Sequence, residues 1–203
     1  MITLLLAATI LPSTVGDYFP LVPGTKWTYE EKVGRMASVQ QDEVLAPVEI
    51  GDHLTYPIAS SLNGAVFDTL YYRVDANTVW LVAHEPKQPL ALPIPVLKAG
   101  DSRLKWEHIG PTSLADEPAP MTMKCESSPK GMRDVLGKRL EVIELRIDAT
   151  VGGAGTAIRN TQTAIYAKGV GLVEMRGEGR VGKTTTKFER RLVKFELGGG
   201  GRP

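Results

Sequence analysis

In EVIELRIDATV, residues 141–151, apolar and polar residues alternate from Ile143 to Val151. Ile143, Leu145, Ile147, Ala149 and Val151 fall on one face, and Glu144, Arg146, Asp148 and Thr150 on the other. A side-chain period of two belongs to a half-buried β-strand, because successive Cβ atoms leave the pleat on opposite sides. An amphipathic helix would need apolar residues three and four apart. The same signal recurs on both sides of this stretch. Downstream, Gly152-Gly153 and Gly155 read as a turn, Thr156 to Ala167 as a returning strand, and Leu172 to Met175 as a short strand entered through Gly169 and Gly171. Upstream, Lys105 to His108 reads as a strand, and near the start Trp27 and Tyr29 face away from Lys26, Thr28 and Glu30.

Between these lie Met36 to Leu45, Leu54 to Ala59, Val66 to Val74 and Thr78 to Ala83, separated by Gly51-Asp52, Asn63-Gly64 and Asn77. Such turn residues join neighbouring strands into hairpins, so the neighbours are antiparallel. Pro86, Pro89, Pro93 and Pro95 lack N–H donors, and 86–100 is expected as an irregular Pro-rich segment, an extended edge or a loop over the core. Residues 110–121 read as a second irregular crossing. The expected fold is mainly β: a strongly curved antiparallel sheet or open half-barrel with short helical or irregular insertions. It forms a single domain over 17–197, with a disordered tail at 198–203.

One motif argues for a different fold. GEGRVGKT, residues 177–184, fits the phosphate-loop pattern G-x-x-x-x-G-K-[ST]. That loop needs a helix starting at the Lys, whose first N–H groups cradle phosphate. Here Thr184, Thr185 and Thr186 follow, and β-branched residues disfavour a helix start. Beyond them, Phe188, Leu192 and Phe195 fit a helix, while Val193, Phe195 and Leu197 fit a strand. A strand needs a bulge near Arg190-Arg191 to bring Phe188 onto the same face. No alternation of strands with crossover helices is visible upstream. The stretch is therefore read as a glycine-rich hairpin turn, with a nucleotide binder kept as the alternative that a helix at Lys183 would support.

Composition sets further bounds. Hydrophobic residues make up 42% of 203, enough for one real core, and 24 basic against 23 acidic residues leave a net charge of +1. Near-neutrality gives no long-range steering toward nucleic acid, which is not an expected partner. The basic run Lys187, Arg190, Arg191 and Lys194 reads as a solvated face. The apolar stretch 2–11, ITLLLAATIL, is shorter than a membrane span, and small residues follow it at Thr14-Val15-Gly16. Residues 1–16 are therefore expected to be a signal peptide or apolar leader, with a periplasmic or secreted mature chain and no transmembrane span.

Candidate chemistry is sparse. Cys125 stands alone and completes no disulfide or metal pair. His53, His84 and His108 lack metal-ligand spacing, and no serine sits in a nucleophile elbow. Glu30-Glu31 and Asp42-Glu43 read as solvated. No catalytic residue, cofactor or metal is expected. The concentrated feature is aromatic, and Trp27, Tyr29, Phe67, Tyr71 and Trp80 are the expected lining of an apolar cleft between curved strands.

Two boxes carry a resemblance: Tyr18-Phe19-Pro20-Leu21-x-Pro23-Gly24-x-x-Trp27-x-Tyr29, and Tyr166-Ala167-x-Gly169-Val170-Gly171-Leu172-Val173. Together they resemble a broad group of poorly characterised bacterial secreted and envelope proteins with the same opening and close. The resemblance implies a curved antiparallel sheet like the half-barrels of lipoprotein carriers, and it carries over no catalytic residue. The chain has no lipobox Cys after the apolar stretch. The function expected is a non-enzymatic exported β-domain binding a lipid or other apolar ligand. The alternatives are a structural or interaction module docking on an envelope protein, and an enzyme of unknown class.

Overall fold

The computed structural model describes residues 14–112, 119–152 and 157–199. A four-residue helix, α1 (Val15–Tyr18), precedes the strands β1 (Lys26–Val33), β2 (Met36–Val44), β3 (Val48–Ile50), β4 (His53–Leu62), β5 (Ala65–Asp75), β6 (Thr78–Glu85) and β7 (Gln88–Lys98). There follow β8 (Leu104–Thr112), β9 (Ala119–Val135), β10 (Lys138–Val151), β11 (Ile158–Ala167), β12 (Gly171–Val181) and β13 (Thr184–Glu196). All pairings are antiparallel. The order is β7-β6-β5-β4-β2-β1-β13-β12-β11-β10-β9-β8, with β3 paired to β4 outside this path. The first and last strands of the chain, β1 and β13, are hydrogen-bonded neighbours. The two free edges, β7 and β8, are consecutive in sequence and meet at a seam. The sheet is thus a strongly curved, nearly closed barrel.

The seam is closed by side chains instead of a backbone ladder. The Trp106 indole Nε1–H of β8 donates to the Pro95 carbonyl of β7 at 2.9 Å. Lys98 lies over the Trp106 ring at 5.8 Å. The prolines expected to make 86–100 irregular leave 88–98 in an edge strand whose pairing with β6 shifts register three times, because only one side of an edge needs its N–H donors. Of the second expected irregular segment, 110–112 end β8 and 119–121 begin β9; residues 113–118 lie outside the described residues.

The larger core joins both sides of the seam: Val79 and Leu81, Ile94 and Leu97, Met121, Met123 and Cys125, Ile143 and Leu145. Val15 and Tyr18 of α1 belong to it, with Val15 fully buried. The expected leader boundary at 16 therefore runs through α1; residues 1–13 lie outside the described residues. Among the described residues no helix is long and apolar enough to cross a membrane. At the other terminus Gly198 packs on the backbone of Pro23 to Thr25, and its N–H donates to Thr25 Oγ1 at 3.1 Å. The first residues of the expected tail, 198 and 199, are thus part of the described chain, and 200–203 lie outside it.

Cys125 is buried in this core, and burial pushes its thiol up to about 12, with Lys98 pulling the other way. A thiol reagent at pH 8 should leave the native protein unlabelled and react fully only after denaturation, because the thiolate is the nucleophile. Rapid labelling of the native protein would contradict this packing.

Candidate functional site

The phosphate-loop motif is a hairpin. Residues 171–181 and 184–196 are paired strands joined at Gly182-Lys183, and Gly182 has φ +58°. No helix begins at Lys183, which removes the nucleotide-binding alternative. The first glycine of the motif has another physical reason. A Cβ at Gly177 would lie 2.3 Å from the Thr161 carbonyl oxygen and 2.6 Å from the Phe188 ring. Glycine is required there so that Phe188 can pack over the backbone. The residue pairs shift between Thr28–Lys194 and Tyr29–Leu192, leaving Val193 as a bulge. That bulge lies two residues beyond the position required by the sequence. A broad depression of about 760 Å³ borders this hairpin. Its charged lining is balanced, Lys32, Arg176 and Lys187 against Asp148, Glu178 and Glu189.

A more enclosed cavity of about 250 Å³ lies where the two main clusters of buried residues meet at Leu172. The two boxes quoted above build one wall of it. The Trp27 indole N–H donates to the Val170 carbonyl at 2.5 Å, and the Tyr29 hydroxyl donates to the Leu172 carbonyl at 3.1 Å. Gly169 N–H donates to the Asp17 carbonyl at 2.6 Å. At Gly171, with φ +98°, a Cβ would crowd the Trp27 ring at 3.2 Å. Phe19 packs on Tyr72 and Tyr166, with ring centroids 5.2 and 6.4 Å apart.

A buried charged cluster closes the floor. The Arg190 Nε–H donates to Glu31, and Nη1 donates to Asp42 Oδ2 at 3.2 Å. Asp42 Oδ1 accepts from Gln40 Nε2 and Ser60 Oγ, both at 2.7 Å. The guanidinium lies 5.0 Å from the centre of the Tyr29 ring. Burial alone would lower the Arg190 pKa, but Asp42 and Glu31 outweigh it and hold the group above its ordinary value. Burial also raises the phenols: Tyr166 to about 12, and Tyr29 and Tyr72 well above the ordinary phenol value. All three are neutral at physiological pH.

Of the five aromatic residues expected to line a cleft, Trp27, Tyr29 and Phe67 line this cavity. Tyr71 and Trp80 do not; they pack with Ile50, Val82 and Ala83 in a separate cluster. The pairing of β4 with β5 gives the reason. Ser60 pairs with Asp68 but Ser61 with Val66, so Phe67 is a bulge residue and the strand's parity changes beyond it. Leu70 and Tyr72 therefore reach the cavity in place of Tyr71. Phe67 itself is 60% exposed at the mouth.

Arg190, Asp42 and Glu31, expected from the sequence to be solvated, lie on the cavity side, with Glu31 held there through Arg190. The signal was present. Arg190 lies two residues from both Phe188 and Leu192, and Asp42 lies two residues from the fully buried Val44. Once β2 and β13 are strands, period two carries both charges inward. Among the described residues no group of three His, Cys, Asp or Glu could hold a metal ion.

No family model matches the chain, and no curated protein matches it. Solved structures similar to it include a candidate lipoprotein from Parabacteroides distasonis, at 11% identity and TM-score 0.42, covering 89% of this chain and 98% of the other. A candidate exported protein with a YmcC-like fold from Bacteroides fragilis is 8% identical, with TM-score 0.44 and coverage of 86% and 96%. The hypothetical lipoprotein YmcC from Escherichia coli is 14% identical, with TM-score 0.35 and coverage of 86% and 88%.

Proposed function

We propose that this chain is a non-enzymatic exported β-barrel domain that holds one small, largely apolar ligand in the cavity beside Arg190. The observation that carries the reading is the cavity wall: six aromatic side chains converge on about 250 Å³ of space, with the exposed Phe67 at its mouth. A cavity of about 150 Å³ is enough to take up benzene. This one suits a single ring or a short chain, and could enclose only part of a diacyl lipid. Binding is favoured over catalysis because Arg190, Glu31 and Asp42 are tied to one another and the lining phenols are held neutral. Export rests on the apolar stretch 2–11.

Phe67 separates binding from folding. Being 60% exposed, it contributes little to the core, so Phe67→Ala should change stability by no more than about 0.5 kcal/mol. The affinity for a small apolar probe such as ethylbenzene, followed by tryptophan fluorescence, should fall about tenfold, equivalent to about 1.4 kcal/mol of lost contact. Unchanged affinity would remove Phe67 from the site; loss of fold would make it a core residue.

A second reading, docking on an envelope protein, is favoured by the exposed Val39 and Val66, which share the outer face of neighbouring hairpins. Substituting both with Ser should abolish partner capture without affecting ethylbenzene uptake.

A further inference from the structure

The charge balance of the cavity narrows its ligand further, on the footing that the cavity binds one. Among the described residues Arg190 is the single basic one on its wall, and Nε and Nη1 are engaged by Glu31 and Asp42. Two carboxylates share one guanidinium, which leaves a surplus negative charge beside the enclosed space. Asp68 adds another at the mouth. Its carboxylate accepts only a short local bond, from the Thr69 N–H at 2.8 Å, and forms no ion pair among the described residues.

The remaining wall strengthens the same preference. Phe19, Trp27, Tyr29, Phe67, Tyr72 and Tyr166 present aromatic rings, whose faces carry negative electrostatic potential. Arg190 already exploits this on Tyr29. Tyr72 and Tyr166 line the cavity, and their hydroxyls have no hydrogen-bond partner among the described residues. An anion placed here would meet two uncompensated carboxylates and a wall of aromatic rings. A cation would be attracted by both.

We propose that the cavity selects a small cationic amphiphile: one ring or short apolar chain carrying an ammonium group, with the ammonium held between Asp68, the Asp42 side of the charged cluster and the ring faces. Recognition is by aromatic enclosure plus unbalanced carboxylate, so the preference weakens as salt screens the exposed Asp68.

The test is calorimetric titration of the full chain at pH 7 with three molecules of nearly equal size: 2-phenylethylamine, 2-phenylethanol and phenylacetate. The amine should bind at least tenfold more tightly than the alcohol, and phenylacetate most weakly. Asp68→Asn should cut the amine-to-alcohol ratio several-fold and leave the thermal midpoint unchanged, because Asp68 is exposed. Equal binding of amine and alcohol, or tightest binding of phenylacetate, would overturn the charge preference while leaving an apolar-ligand cavity intact. Binding of none of the three would overturn both.

Discussion

Arg190→Met should lower the stability of the fold by about 3–5 kcal/mol, the cost of removing one partner from a buried ion cluster. For a chain of this length that is a drop in Tm of roughly 10 °C. The size follows from what is left behind. Glu31 and Asp42 stand on neighbouring strands facing one guanidinium whose side chain is only 18% exposed. Without it, two largely enclosed carboxylates remain with only the Gln40 and Ser60 hydrogen bonds to Asp42. Arg190→Lys should recover only part of the loss, since an ammonium cannot reach two separate carboxylates and stack flat on Tyr29 at once. Combining Arg190→Met with Glu31→Gln and Asp42→Asn should recover much more, because the stranded charges disappear with their partner. A loss no greater than about 1 kcal/mol for the single variant, as for an exposed pair, would contradict the enclosed cluster.

Gly177→Ala should cost about 1–3 kcal/mol, the range for overpacking a filled site. The added methyl meets the Thr161 backbone oxygen at 2.3 Å and Gln162 Cβ at 2.8 Å, so strands β11 and β12 must part to admit it. Lys183→Ala, at the hairpin tip, should change neither stability nor any response to ATP and magnesium. Chemical denaturation of both variants distinguishes the two accounts of residues 177–184. A phosphate-binding loop predicts that Lys183 matters to nucleotide and that Gly177 serves a loop and not a strand. Tolerance of Gly177→Ala would contradict the packing of Phe188 across β12.

Much of the barrel can be read from alternation and turn residues. Asn63 and Gly64 adopt φ 52° and 81°, the conformation their hairpin requires. β10 follows its period-two pattern from Ile143 onward; Val142 and Ile143 are both buried, where the pairing with β9 shifts register. The longest strand, β9, alternates too, with Thr122, Lys124 and Glu126 facing away from its inward residues, but its inward side lacks strong strand formers. Its inward residues are Met121, Met123, Cys125 and Ser127, small or flexible side chains interrupted by Pro129 and Gly131, and none is strongly β-forming. It is a strand because β8 and β10 flank it on both sides. β7 was obscured by its prolines, which mark an edge as readily as a loop.

The cavity was legible in part, for one reason. Composition shows aromatic residues, but bulges decide which way they point. A single inserted residue at Phe67 exchanges Tyr71 for Tyr72, and another at Val193 keeps Leu192 and Phe195 with Trp27 and Tyr29. Bulges leave little trace in a period-two pattern. The charged cluster was hidden differently: Arg190 sits in a basic run whose other members are solvated, and only its place between Phe188 and Leu192 distinguishes it.

Native mass spectrometry of the full chain, isolated without denaturation and then extracted into organic solvent, tests the ligand-binding account most directly. The structure predicts one small molecule per chain, released on extraction and recovered in lower yield from Phe67→Ala while that variant keeps its fold. An empty protein that also fails to take up ethylbenzene and 2-phenylethylamine would contradict it.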